Sequence, residues 1–289
     1  MMVLSIRHRT AYRYHQTVQL GQHRLMLRPR ESRDLRLKSS AVTISPQASL
    51  TWAHDVFGNT IATASFEGWS DSLIIESTVE LELFAPAWPE FGVAATATHY
   101  PFAYSDSELT DLGALAAQQY ADPEGRLRDW AHGFVASRPT ETLALLQDLS
   151  KGVSRWISYQ SRDDEGTQTP VETLDRGWGS CRDFAVLFVE AARSLGFGAR
   201  IVSGYVFLPG SGGQTRGSPG DGSTHAWAEV FVPGAGWVTF DPTNRAVGGR
   251  NLIPVAVARH INQAMPVTGS FTGMTNAFWD MQVEVRVTS

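Results

Sequence analysis

The sequence predicts an α+β protein, with an antiparallel, β-rich N-terminal domain followed by helices packed on a second antiparallel sheet. Three observations predict it. Apolar and polar residues alternate in steps of two between Leu4 and Phe84, apolar residues recur at helical spacing from about Ser105, and the step of two returns after a helix that begins at Cys181.

In the first segment Leu4, Ile6, Tyr12 and Tyr14 alternate with polar residues, and Arg24 to Arg28 and Ala41 to Ser45 are short strand-like runs. Gly58-Asn59 separates the runs Trp52 to Phe57 and Ile61 to Phe66. The most regular stretch is Leu73 to Phe84: Leu73, Ile75, Val79, Leu81 and Leu83 point one way, and Glu76, Thr78, Glu80 and Glu82 the other. Such a pattern fits an antiparallel sheet with one solvated face. The run Ala85-Pro86-Ala87-Trp88-Pro89 ends it, because proline neither continues a ladder nor permits helix just before it. Residues 1–95 are therefore expected to form the N-terminal domain and residues 96–289 the core with a C-terminal strand.

Ser105 or Asp106 can cap a helix through Tyr120, and Asp122-Pro123 can open another towards Ser137. The stretch from Thr140 to Tyr159 carries Leu143, Leu146, Leu149, Val153 and Trp156 on one stripe. Phe184, Phe188, Ala191, Ala192 and Leu195 recur at helical spacing behind Cys181, and Gly196 and Gly198 stop the run. Strands are expected at Ala199 to Phe207, His225 to Val232 and Trp237 to Asp241, with Gly234-Ala235-Gly236 joining the last two. The Gly/Ser/Pro-rich segment from Leu208 to Ser223 is read as a surface loop, with a lid over a site as the alternative. Trp279 to Val287 alternates again and can return as a strand.

Composition narrows the function. With 43% hydrophobic and 18% charged residues the chain is neither disordered nor fibrous. A net charge of -5 supplies no field for nucleic acid or an anionic membrane, and Glu31 and Asp34 interrupt the richest arginine run, Arg24 to Arg36. The single cysteine excludes an intrachain disulfide and fits a reducing compartment. Neither a signal-peptide core at Met1 to Arg7 nor an apolar stretch of membrane-crossing length is present, so a cytoplasmic protein is expected. No His-Glu-x-x-His, phosphate-binding Gly-x-x-x-x-Gly-Lys, Gly-x-Ser-x-Gly or EF-hand pattern occurs, and neither a metal nor a cofactor is expected.

The one thiol sits in the run Gly179-Ser180-Cys181-Arg182-Asp183. In the first turn of a helix, unpaired N–H groups and the positive end of the helix dipole favour a thiolate. A lone cysteine is also commonly a small buried hydrophobe, and on these residues alone both readings stand. A cysteine nucleophile needs a base, and the base a group to orient it. His225 opens one later strand and Asp241 closes the next, which brings them to one sheet edge. In an ideal hairpin closed at Gly234 to Gly236, however, Asp241 faces Ala228, about 10 Å of strand from His225. A bulge, a wider loop or strong twist is then required. Asp183 is expected as a helix cap and Glu229 as a solvated or paired charge. Trp178, Ser180 and Trp227 are candidates for substrate binding or the oxyanion site, the two tryptophans equally for core packing; the Cys181 N–H is the natural oxyanion donor.

Four ordered blocks resemble the bacterial transglutaminase-like superfamily: Gly179-Ser180-Cys181-Arg182-Asp183, Arg200-Ile201-Val202-Ser203-Gly204-Tyr205, His225-Ala226-Trp227-Ala228-Glu229-Val230, and Gly236-Trp237-Val238-Thr239-Phe240-Asp241-Pro242-Thr243-Asn244. The β-rich first segment is similar to the domain that accompanies this core. The resemblance implies a papain-like transglutaminase core and a catalytic Cys-His-Asp triad at Cys181, His225 and Asp241. It implies thiol-dependent acyl transfer from a peptide or protein amide, with water as the favoured acceptor in a cysteine protease or amidase. The alternatives are an amine acceptor, as in a transglutaminase, and a non-catalytic peptide-binding module on the same fold.

Overall fold

Met2 opens β1 (Met2–Leu25), a strand of 24 residues in the computed structural model, which describes residues 1–161, 166–209 and 222–289. The two separate runs expected there are one strand because its partners change along its length. β2 (Leu35–Ser45), β3 (Ala48–His54), β4 (Thr60–Phe66) and β5 (Trp69–Leu83) complete the N-terminal segment. The first half of β1 pairs with β5, the register shifts between Arg13 and Val18, and His23 to Leu25 pair with β4. β5 buries Leu73, Ile75, Val79, Leu81 and Leu83 in the alternation its sequence shows, with Ser77 buried in the same phase.

The helical region opens with β6 (His99–Tyr100) and α1 (Asp106–Leu112). Ser105 caps α1: its hydroxyl accepts from Glu108 N, and the Glu108 carboxylate accepts from Ser105 N at 2.9 Å. Gly113, at φ 46, ends the helix well before Tyr120. α2 (Arg126–His132) starts after Gly125, at φ 68, instead of at Pro123. β7 (Thr140–Glu141) pairs with β6, and α3 (Thr142–Trp156) follows. α3 buries Leu145, Leu146, Leu149 and Val153, whereas Trp156, expected on the buried stripe, is exposed. β8 (Ser158–Tyr159) leads towards α4 (Pro170–Arg176), a helix the sequence reading missed although Thr169, Pro170 and Glu172 form a capping box with proline at the first position. β9 (Trp178–Gly179) pairs in parallel with β8 and delivers the chain to α5 (Cys181–Ser194).

α5 is the centre of the core. The apolar stripe read from the sequence understates it: Val186, Leu187 and Val189 are buried as fully as Phe184 and Phe188. A helix apolar nearly all round belongs inside a protein. α2, α3 and α4 cover one side of it, and the sheet covers the other through Ala226, Ala228, Val230, Val238 and Phe240. Full burial of each Phe or Leu contributes about 1.5–3 kcal/mol. Beyond its first turn its charged residues are Glu190 and Arg193, which pair at 2.6 Å, and Arg193 also donates to the carbonyls of Ala199 and Arg259.

The second sheet is antiparallel, in the order β13 (Ala246–Val247), β12 (Gly236–Asp241), β11 (Gly222–Val232), β10 (Ala199–Phe207), β14 (Leu252–Ala258). Residues 210–221, most of the segment read as loop or lid, lie outside the described residues. β15 (Val267–Thr272) and β16 (Phe278–Thr288) then return to the first sheet and pair with β1, with Ser5 opposite Thr288. The two sheets meet through Leu4, Ile6, Leu81 and Val287 from the first and Tyr205, Phe207, Ile253 and Val255 from the second. A buried polar link crosses the same contact: His8 Nδ1 lies 2.9 Å from Tyr205 Oη, and its Nε2 lies 3.2 Å from Thr10 Oγ1. The chain is thus α+β, with an antiparallel N-terminal sheet and helices packed on a second one.

Candidate active site

The site begins with the turn that carries the sulfur. Ser180 is extended at the helix start, and Cys181 is the first residue of α5. Asp183 fixes this elbow: its Oδ2 accepts from both the N–H and the hydroxyl of Ser180 at 2.8 Å, and its Oδ1 accepts from Gln168 N at 2.7 Å. The carboxylate is fully buried. Gly179 lets it approach, since a Cβ there would meet Asp183 Cβ at 2.8 Å. Asp183 is a cap, and the Ser180 hydroxyl is spent on it.

His225 comes from β11 and Asp241 from the end of β12. His225 Nε2 lies 2.9 Å from Asp241 Oδ2, which leaves Nδ1 for the sulfur, and the Cys181 side chain hydrogen-bonds with His225 and with the Ala226 N–H. The expected register difficulty is absent, and no bulge interrupts the β11–β12 ladder. The connecting loop is Pro233-Gly234-Ala235, with Val232 opposite Gly236 and Ala228 opposite Phe240. Gly234 and Gly236 adopt φ of 83° and 73°, a conformation that favours glycine. Continued one step, this register sets Asp241 across from Trp227, on the face that also carries His225. Diagonal neighbours on one face are within reach of long side chains, and a one-residue slip would have turned Asp241 away.

The rest of the site fixes these groups. Asp241 Oδ1 accepts the N–H groups of Thr243 and Asn244 at 3.0 and 3.2 Å, and Oδ2 accepts Asn244 Nδ2 at 2.7 Å. Trp227, 1% exposed, stacks on the imidazole at 6.0 Å and 26° and packs with Val202, Val206, Leu252 and Val257. It backs the histidine from the core; it does not wall a groove. Trp178 is half-buried on β9, with the Arg176 guanidinium 5.7 Å from its ring. Glu229 is paired with Arg200 at 2.7 Å across β10 and β11. Among the described residues no group of three or more His, Cys, Asp or Glu side chains could hold a metal ion.

Sequence reading missed Asn244, which its Asp-Pro-Thr-Asn turn could have revealed, since Asp and Asn commonly hydrogen-bond their own turns. It also missed Tyr159, which no local pattern marks.

Electrostatics favour the charged forms of the pair. Removal from water would raise the Cys181 thiol, but the hydrogen bond and charge of His225, the Ala226 N–H and the Arg182 charge outweigh it, and the thiol falls below its ordinary value. Burial would lower His225, yet its hydrogen bonds to Asp241 and Cys181 and their charges raise it to about 10. Burial would raise Asp241, and the bonds from His225 and Asn244 hold it below the usual carboxylate range. The first two shifts describe one coupled thiolate–imidazolium pair.

Comparison with known proteins fits this architecture. Residues 4–82 match the bacterial transglutaminase-like N-terminal region, and residues 104–242 match the transglutaminase-like superfamily. A protein of Mycobacterium tuberculosis is 28% identical over 302 aligned residues, covering 97% of this chain and 91% of its own. A Mycobacterium leprae protein is 32% identical over 115 residues, 40% of each chain. Neither relative has an assigned activity. The crystal structure of a candidate cysteine protease from Cytophaga hutchinsonii superimposes with a TM-score of 0.72 at 16% identity, covering all of this chain and 92% of its own. From the N-terminal sheet through the cysteine helix to the His225 strand, the chain belongs to the bacterial transglutaminase-like superfamily.

Proposed function

We propose that the protein catalyses thiol-dependent acyl transfer from an amide or peptide bond, with Cys181 as nucleophile, His225 as base and then acid, and Asp241 as the group that orients the imidazole. One observation carries the reading: a hydrogen-bonded chain from a thiol at a helix N-terminus through a buried imidazole to a buried carboxylate. Neither a lone buried cysteine nor a peptide-binding groove requires all three groups in that order.

In the proposed cycle the Cys181 thiolate attacks the carbonyl carbon and the π electrons move onto oxygen. The negative charge then faces the Cys181 N–H at the start of α5. His225 gives its proton to the departing amine nitrogen as the C–N bond breaks, leaving a thioester and a neutral imidazole. Water, deprotonated by His225, attacks the thioester; the C–S bond breaks, the acid leaves, and the thiolate–imidazolium pair is restored. Hydrolysis is the favoured outcome because nothing in the sequence specifies a dedicated amine site and water is always present. The candidate protease activity attached to the Cytophaga hutchinsonii protein points to the same substrate class, a peptide or protein. The lone cysteine, which a reducing compartment keeps as a thiol, supports the cytoplasm as the proposed location. Among the described residues no helix is long and apolar enough to cross a membrane.

The test is a peptide and amide library screened with and without a primary amine, using wild type and Cys181→Ala. Release of a new carboxylate by wild type alone supports hydrolysis, and amine incorporation by wild type alone supports transamidation. Peptide binding retained by Cys181→Ala, with no turnover by wild type, overturns the enzyme reading.

A further inference from the structure

Tyr159 stands beside the thiol without belonging to the Cys181–His225–Asp241 chain. Its strand β8 pairs in parallel with β9, Tyr159 opposite Gly179, and the Gln160 N–H donates to the Gly179 carbonyl at 2.9 Å. The tyrosine backbone is thereby fixed next to the elbow, two residues ahead of the sulfur. Its ring meets Phe184, in the first turn of α5, edge-on at 6.0 Å and 89°. Phe184 is buried in the close-packed core and gives the ring a floor. Tyr159 itself is 50% exposed, which leaves it open to a bound molecule.

The hydroxyl also lies within electrostatic reach of both negative groups of the site. Partial burial and the charges of Cys181 and Asp241, against the opposing charge of Arg182, raise it to about 12. It therefore keeps its proton throughout the range in which the thiolate–imidazolium pair exists, and can serve as a donor but not as a base. A neutral O–H on the strand that flanks the elbow can answer the charge that appears when the sulfur attacks, because the negative charge then moves from sulfur to the neighbouring carbonyl oxygen.

We propose that Tyr159 is a substrate-contacting residue, its hydroxyl donating a hydrogen bond to the carbonyl oxygen of the bound acyl group and holding it as it becomes an oxyanion, with the ring as a wall for the acyl chain. This rests on the acyl-transfer reading and supplies the second donor beside the Cys181 N–H. No proton leaves Tyr159 in the step. The covalent changes remain those between Cys181, His225 and the amide.

The test compares wild type and Tyr159→Phe on an amide substrate, with a peptide aldehyde as the probe, whose adduct with a thiolate carries the same tetrahedral oxygen. Adduct formation is read by mass spectrometry and by inhibition. Tyr159→Phe is expected to lower kcat about 100-fold with KM changed less than about twofold, the cost typical of one lost oxyanion donor. The aldehyde should bind at least about tenfold more weakly, while the rate of alkylation by iodoacetamide, which reads the thiolate alone, stays unchanged. Equal aldehyde affinity in wild type and Tyr159→Phe overturns the role of Tyr159 alone. Failure of the wild-type protein to form any adduct or turn over any amide overturns the acyl-transfer reading and this role together.

Discussion

Asn244 Nδ2 donates at 2.7 Å to Asp241 Oδ2, the same oxygen that meets His225 Nε2 at 2.9 Å. Two further donors, the Thr243 and Asn244 N–H groups, occupy Oδ1. The carboxylate is therefore held in one rotation, and its affinity for a proton falls with each bond it accepts.

Replacing Asn244 with Ala removes one of these donors, together with the 3.4 Å approach of Nδ2 to His225 Nε2, and leaves the sulfur's own partners in place. Asp241 then holds its charge less firmly, and the imidazolium of His225 is less stable. The expected outcome is a drop in kcat/KM of roughly tenfold, the scale of one charge-assisted hydrogen bond. The basic limb of the pH–rate profile should move to lower pH. A fall in activity with an unshifted profile would mean that Asn244 acts elsewhere.

The thiol should react as half of an ion pair. Cys181 is lowered and His225 raised, so the thiolate–imidazolium pair should exist from below the ordinary thiol value of about 8.5 up to about 10. Alkylation by iodoacetamide should show its acid limb at lower pH than a free thiol does. In His225→Ala the two largest lowering causes are lost while burial still acts, so the limb should move to higher pH. Identical profiles in the two proteins would remove the ion pair.

His8 makes a different pH prediction. Burial between the two sheets lowers it to about 4, so the folded state holds it neutral. A depressed histidine destabilises the fold only where the unfolded chain would be protonated: the loss begins as pH falls below about 6.5 and is complete near 4. Over that interval the fold should lose up to about 3 kcal/mol from this residue. Urea unfolding at pH 7.5 and 4.5 checks it, and in His8→Gln the difference between the two pH values should shrink.

Asp183→Ala removes acceptors from the Ser180 N–H, the Ser180 hydroxyl and the Gln168 N–H, all in a buried place. About 3 kcal/mol of stability should be lost, since stranded donors keep their desolvation cost. Activity should fall in the protein that remains folded, because the elbow sets the direction of the sulfur. Asp183→Asn, which keeps one acceptor oxygen, should recover part of the stability.

Some of this was legible in the residues. The Leu73 to Leu83 alternation reads directly as β5, because one face of that strand is buried over its whole length. The start of α5 at Cys181 was legible from the apolar spacing behind it, and Asp183 and Glu229 have the structural partners expected of a cap and a paired charge. The α1 and α2 boundaries were not, because Gly113 and Gly125 act through positive φ, which their residue type permits but does not announce. The closeness of Asp241 to His225 depended on where the hairpin loop is cut: a single residue of register decides which face Asp241 occupies. Tyr159 was invisible because a two-residue parallel pairing brings it to the elbow, too short to leave a period in the sequence.

β1 also determines when the protein can be complete. Its first half is lined on one side by β5 and on the other by β16, so Ser5 waits for Thr288 across nearly the whole chain. Contacts this distant in sequence close late, because the loop entropy between them must be lost first. During synthesis the strand made first stands with one edge open until residues 278–288 exist, and an open edge of that length is a template for pairing with another chain. Arg7, Arg9 and Arg13 lie along that edge, and their charges oppose such pairing for as long as it remains uncovered.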